Sequence, residues 1–312
     1  MTKIERIDKT LEGREVDRPP VSFWYHFGVQ HERGERIAEL SLEFLRFYDL
    51  DWLKLMNDYF YPMPKGMLEL ASAEDLRRIG RFEIRDSDWA EQLRAIEIVA
   101  QALAGKAYFI DTVFDPWQVL MRSLAGEHLA ELVAGHPQGV LDALDVISDN
   151  IIAYCREALR LGCSGIFIST FGSKEQMERA QYLRFAKPFV MKIFTAIKDA
   201  GRMHTAHVHD FGIYVDDILD LPVRIISYED RHPSNPTIPE MRKRFSGTIM
   251  GGLDKDRITR VTPAEAARNA EEGMRLGGKT KLLLAPGCSF PTWLYPGAAK
   301  ALVERVKAEG KE

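Results

Sequence analysis

Eight short apolar runs recur along the chain, at 20–26, 51–56, 107–113, 165–170, 203–208, 223–228, 247–251 and 281–285. They read as continuous apolar stretches rather than alternating ones, the pattern of strands buried on both faces of a parallel sheet. Parallel neighbours need a long crossover between them, usually a helix, and the intervening stretches carry helix signals. A helix is expected over 35–47. Another is capped by Ser87 or Asp88 and ends near Gly105, and a long amphipathic one covers about 140–161. The stretch 173–199 contains Pro188, placed to kink or split it. Thr262-Pro-Ala-Glu265 supplies an N-cap, a first-position proline and a capping-box glutamate. A last helix starts near Gly297. Eight such units predict an α/β fold, a (β/α)8 TIM barrel, built as a single domain over residues 1–312.

Charge and composition narrow the function classes. The net charge is −4 and no long basic run occurs, which argues against nucleic acid or a membrane surface as partner. No apolar stretch approaches the roughly 20 residues of a membrane span. The first eight residues are charged throughout and do not read as a signal peptide. Three unevenly spaced cysteines form no disulfide framework, so a reducing, cytoplasmic setting is expected, with Cys155 and Cys163 as core residues. The oligomeric state is left open.

The fifth run ends in a cluster of His204, His207 and His209. Residues two apart on a strand share a face, so His207 and His209 converge while His204 points away. The eighth run ends in Ala-Pro-Gly-Cys288, which brings a thiol to the close of another strand. An isolated His-x-His pair is more often structural than metal-binding. Two imidazoles and a thiolate are a ligand set typical of zinc, and three protein ligands leave a position open for chemistry. In a barrel the active site lies where the strands end at their carboxyl side. Those ends carry His26, Asn57, Asp58, Asp115, Thr170, Glu229, Asp230 and Asp254 besides the three candidate ligands.

Several stretches resemble the uroporphyrinogen decarboxylase superfamily: Glu5-Arg-Ile, Leu11-Glu-Gly-Arg-Glu-Val-Asp-Arg-Pro-Pro-Val21, Gly251-Gly-Leu-Asp254 and Leu284-Ala-Pro-Gly-Cys288. The resemblance runs over essentially the whole chain and implies the same barrel. It offers two chemistries. One branch removes carboxylates from uroporphyrinogen without metal. The other comprises zinc methyltransferases that pass a methyl group between a corrinoid protein and a small acceptor. The decarboxylases carry an arginine-rich motif after the first strand, whereas this chain reads Trp24-Tyr-His-Phe-Gly28 with no arginine before Arg33. Asp58 does fall where the decarboxylases have a catalytic aspartate. The methyltransferase motifs, a His-x-Cys and a distant cysteine, map onto His207, His209 and Cys288. The second ligand is therefore histidine where that branch usually has cysteine.

This departure has an electrostatic consequence. Zinc with two thiolates and one imidazole is neutral overall, while one thiolate and two neutral imidazoles leave about one positive charge. The more electrophilic site favours an oxygen-bearing substrate such as a methyl ether, provided no carboxylate from Glu229 joins the metal. The resemblance thus implies Zn2+, a small methyl donor or acceptor, and a corrinoid (cobalamin) supplied in trans. No Asp-x-His-x-x-Gly corrinoid signature occurs in the chain. Asp58, Asp115 and Glu229 are the candidates for orienting ligands or handling a proton. Trp24, His26, Asn57, Tyr61 and Trp117 are the candidates for lining a substrate pocket, with Tyr25 and Phe60 beside them. A metal-independent decarboxylase of a smaller carboxylate relying on Asp58, and a non-catalytic small-molecule-binding barrel, are the alternatives.

Overall fold

In a computed structural model of the chain, which describes residues 1–311, seven parallel strands form one sheet in sequential order. They are β1 (Trp52–Leu55), β2 (Tyr108–Phe114), β3 (Ile166–Thr170), β4 (Thr205–Val208), β5 (Ile225–Ser227), β6 (Thr248–Leu253) and β7 (Leu282–Pro286). The helices Trp89–Leu103, Pro137–Arg160, Lys187–Ile197, Pro263–Gly277 and Pro296–Glu309 alternate with them, giving a single-domain TIM-barrel-like α/β fold. No helix is long and apolar enough to cross a membrane among the described residues.

The run expected as a first strand, 20–26, makes only a parallel bridge from Val21 to Leu284. It nonetheless lies between the two sheet edges. Leu284 N donates to Pro20 O (2.8 Å) and Ser22 N to Leu284 O (3.1 Å) on the β7 side. On the β1 side Asp51 N donates to Val21 O (2.9 Å), and Ser22 Oγ donates to Trp52 O (2.8 Å). Pro19 and Pro20 have no N–H to give, which keeps this segment from pairing as a full strand. The buried Asp51 carboxylate reinforces the closure. It accepts from Arg18 (2.6 and 3.0 Å), Arg6 (3.1 Å) and the Val21 amide (2.8 Å).

Side-chain alternation divides the core in two. Ala206, Val208, Ile226, Ile249 and Leu284 face outward and pack with Ile96, Ile147, Ile193, Ala270 and Leu302 of the helices. Each fully buried aliphatic side chain there contributes roughly 1.5–3 kcal/mol of transfer free energy. A smaller inner cluster holds Trp24, Trp52, Ile110, Phe167, Met250 and Leu283. Ile7 joins it from a helix at Lys3–Leu11 that the sequence reading did not anticipate and that Thr2 and Glu5 cap reciprocally.

Three further boundaries differ from expectation. The helix expected over 173–199 begins at Arg179 and passes through a π turn at Tyr182–Ala186, just ahead of Pro188. Proline cannot donate to the carbonyl four residues back, so a widened turn at that place is the natural accommodation. β6 extends to Leu253, beyond the expected 251. Between β2 and the helix Pro137–Arg160 lie helical turns at Pro116–Val119, Leu120–Ala125 and Leu129–Gly135 that were not expected.

Candidate metal centre

His207 occupies an inward position of β4, in register with Ser169 on β3 and Ser227 on β5. Val208 then faces the outer core, and His209, the first residue past the strand, returns to the inner side. Nitrogen or sulfur atoms of His207, His209 and Cys288 all lie within 4.8 Å of one another. Cys288 Sγ is 3.7 Å from His209 Nδ1. A tetrahedral zinc with bonds near 2.3 Å to sulfur and 2.1 Å to nitrogen would separate such a pair by about 3.6 Å. The donor set and its spacing therefore fit a zinc ion.

The surroundings fix both imidazoles. His207 Nδ1 is 3.3 Å from Ser227 Oγ, which leaves Nε2 for a ligand, and its ring stacks on Phe167 at 5.0 Å. His209 stacks on Phe171 at 5.8 Å, and its Nε2 is 3.6 Å from Asp210 Oδ2. Asp210 has φ +62°, a left-handed conformation that aspartate tolerates better than most residues. Gln176 Nε2 donates to the same carboxylate oxygen. Burial holds both imidazoles below the usual histidine range, so each is neutral and able to bind metal. Burial pushes the Cys288 thiol up, and the nearby Glu229 adds to this. His204 points away, as expected: its Nδ1 accepts from the Ile166 amide at 3.2 Å, outside the centre.

Glu229 follows β5 and is 4% exposed. A side chain on Gly287 would come within 2.5 Å of Glu229 Cα, so the Ala-Pro-Gly-Cys turn needs its glycine for this close approach. The carboxylate pairs with Lys255 at 3.2 Å and lies outside the three-residue donor cluster. Burial raises its pKa. Asp230, next along, is pushed up to about 7 by burial and accepts from the Gly252 amide at 2.8 Å. A Cβ at Gly251 would lie 2.5 Å from its Oδ1.

Two cavities meet at the centre. A small one of about 160 Å³ is bounded by the three donors with Trp24, Lys54, Met56, Thr112 and Phe167. A larger one of about 330 Å³ is walled by Asn57, Asp58, Tyr61, Trp89 and Tyr154 among others. His26, Thr112, Phe114 and Arg122 border both. His26 Nδ1 and Asp58 Oδ1 are 2.5 Å apart. Asn57 Nδ2 donates to Tyr154 Oη at 3.3 Å, and Tyr154 Oη donates to the buried Asp111 at 2.6 Å. Burial lifts Asp111 to about 6. Tyr61 Oη accepts from Asn150 Nδ2 at 2.5 Å.

Trp24 and His26 wall the cavity that holds the donors, and Asn57, Asp58 and Tyr61 wall the adjoining one, whereas two candidates line neither. Trp117 packs on Phe185 at 5.7 Å in the outer core and walls neither cavity. Asp115 caps the turn Pro116–Val119, accepting from the Gln118 amide (2.8 Å) and the Phe171 amide (3.3 Å). Its carboxylate is spent on backbone and fastens the ends of β2 and β3 together.

Two cations that the sequence does not single out also wall the small cavity. Arg122 sits 5.2 Å from the Phe114 ring and 5.4 Å from the Phe171 ring. Lys54 is 4% exposed, and burial pulls its pKa down to about 7 against the opposing pull of Cys288, Asp111 and Asp58. The legible signal for Lys54 was a single charge inside an otherwise apolar run, Trp52-Leu-Lys-Leu55. Arg122 has no comparable signature.

The fold and several of its relatives can be placed by comparison. A methyltransferase from Methanosarcina mazei superposes with a TM-score of 0.82, at 16% identity and 99% coverage of each chain. A putative vitamin-B12-independent methionine synthase from Listeria monocytogenes gives a TM-score of 0.55 at 12% identity, covering 94% of this chain and 96% of its own. A B12-independent methionine synthase from a Shewanella species gives 0.51 at 13% identity, covering 70% of this chain and 65% of its own. No curated protein matches the sequence. The family profile described as uroporphyrinogen decarboxylase (URO-D) matches residues 2–309, and the chain belongs to that family.

Proposed function

We propose that this protein is a zinc-dependent methyltransferase that moves a methyl group between a small methylated substrate or acceptor and a corrinoid. The observation that carries the reading is the convergence of His207, His209 and Cys288 beside a partly apolar cavity. The Methanosarcina protein of the same fold is named a methyltransferase, and two further relatives in fold are named methionine synthases. Zinc, when bound, supplies a Lewis acid for the substrate heteroatom.

The chain's own residues divide the remaining work. His207, His209 and Cys288 hold the metal, while Ser227 and Asp210 orient the two imidazoles. Asp58, in the larger cavity and paired with His26 at the border of the two, handles a proton or orients substrate. Asn57, Tyr61, Trp24 and His26 line the substrate space. Asp115 acts by holding the strand ends, and Trp117 by packing. Glu229 is balanced by Lys255, so it does not cancel the positive charge left by two imidazoles and one thiolate. This favours oxygen over sulfur at the metal. Cavities of about 160 and 330 Å³ suit ligands of drug size or less. A corrin ring is larger, so the corrinoid would be presented at the mouth by a separate protein or as free cofactor.

The reading is tested by incubating zinc-loaded protein with methyl ethers, with and without reduced corrinoid. Corrinoid-dependent methyl transfer that Cys288→Ala abolishes is the expected result. Because two relatives are named B12-independent, transfer without corrinoid would retain the methyltransferase and remove the corrinoid. A second reading rests on Asp58 and Arg122 sharing one cavity: a metal-independent decarboxylase of a small carboxylate. Metal-free protein whose decarboxylation is lost in Asp58→Asn would establish that instead.

A further inference from the structure

Lys54 is the buried group that the proposed function leaves without a task. Lysine is almost never buried without a charged partner, yet both hydrogen-bond acceptors of Lys54 are neutral. Nζ donates to Thr112 Oγ1 at 2.7 Å and to the thioether of Met56 at 3.0 Å. Thr112 directs its own hydroxyl proton to Leu55 O at 2.8 Å, so its oxygen accepts from Lys54. An ammonium has three donors, and these two contacts leave one over. Aromatic faces complete the setting, with Phe167 at 4.3 Å and Trp24 at 5.0 Å from Nζ. Phe167 also stacks on His207, and Lys54 walls the same small cavity as all three metal donors.

We propose that Lys54 is the proton donor to the leaving oxygen, which makes methyl ethers of alcohols or phenols, not methyl thioethers, the substrates of this site. The proposal rests on the methyltransferase reading above. A thiol ionises near pH 8.5 and leaves readily as its anion, whereas a phenol ionises near about 10 and an alcohol higher still. An acid is therefore useful only for oxygen. In the step, the carbon–oxygen bond breaks as the methyl group passes to the reduced corrinoid acceptor. The bonding pair stays on oxygen and one Nζ proton moves onto it. The products are an alcohol or phenol and a neutral Lys54 amine, which regains a proton from water. Of the titratable groups around Lys54, Asp111 and Asp58 favour its charge, Cys288 does so only while no metal neutralises its thiolate, and His207 stacks on the same Phe167 ring that Lys54 faces. A lysine that titrates near neutrality gives up its proton at little cost in a buried site.

The test compares wild type with Lys54→Met, a substitution of similar length that suits the apolar surroundings. Rates of methyl transfer to reduced corrinoid are measured across aryl methyl ethers, from plain methoxybenzene to nitro-substituted members. The variant should retain zinc, lose about 10²–10⁴-fold with the poorest leaving groups, and stay within a few-fold of wild type on the nitro-substituted ether. Equal rates for both proteins across the series, or a uniform loss on every member, would overturn the proposal. Binding of 4-nitrophenol supplies a readout that needs no turnover, because its ionised form absorbs at longer wavelength. Wild type should bind it as the anion and Lys54→Met at least tenfold more weakly, whereas equal binding would also overturn the assignment. Zinc-loaded wild type that transfers from no ether, yet shows this binding difference, would refute the methyltransferase reading and leave Lys54 as the anion-binding residue.

Discussion

Cys288 Sγ and His209 Nδ1 lie 3.7 Å apart although 79 positions separate the residues in the chain. β4 and β7 belong to one curled seven-stranded sheet whose edges the 20–22 segment joins, and both residues follow strand ends on its carboxyl side. Barrel closure is therefore a precondition for the site. If the 20–24 segment did not bridge β7 to β1, the geometry around the cavities would not be fixed.

That dependence makes Asp51 the residue to remove. Its buried carboxylate receives two arginines and the Val21 amide. Asp51→Ala leaves Arg6 and Arg18 without their shared partner and should destabilise the protein by about 3–5 kcal/mol. Urea denaturation measures the loss, and protein that still folds should keep its zinc.

Lys54→Met should move stability the other way. Replacing a buried ammonium by an apolar isostere is commonly stabilising, here by about 1–3 kcal/mol. The pH dependence gives a sharper check. The folded pKa is depressed to about 7, against about 10.4 in an unfolded chain. Between those values the unfolded chain holds a proton that the native protein has released. Wild-type stability therefore gains a contribution that grows from about pH 7 to about pH 10, and the variant lacks it. Thermal melts across that range read the difference.

The barrel was legible because continuous apolar runs alternate with helix signals, the pattern of a parallel sheet covered by helices. The first run fell short of a strand because Pro19 and Pro20 remove the donors a ladder requires. The helix at Lys3–Leu11 is not legible in the sequence because charged residues dominate it and few apolar positions mark its buried face. Ile7 reaches the inner core and Leu11 packs against it half-buried, while Thr10 and Arg6 are buried through polar contacts. The convergence of His207, His209 and Cys288 was legible because the strand period told which histidine faces inward and the barrel places strand ends together. Trp117 and Asp115 show the limit of that reading. Both follow a strand end, but helix capping and packing claim their side chains, a choice that depends on the turn conformation and not on residue type. The burial of Lys54 is not legible because lysine in a strand ordinarily marks an exposed edge.

His209→Cys gives the site a two-thiolate, one-imidazole donor set in place of one thiolate and two imidazoles. The variant should bind zinc at least as well, since thiolate is the softer and charged ligand. Its metal would carry no net positive charge, and transfer from methyl ethers should fall roughly 10–100-fold while thiols bind more tightly. A kinetic comparison of ether and thiol substrates decides it. Unchanged ether activity would show that the extra charge plays no part.

The central claim is that His207, His209 and Cys288 hold one catalytic zinc. It is tested most directly by the metal content of protein purified without chelator, wild type beside Cys288→Ala and His207→Ala. Close to one zinc per wild-type chain, lost in both variants while circular dichroism shows them folded, is the expected result. Metal-free wild-type protein, or zinc retained at full stoichiometry in both folded variants, would contradict it.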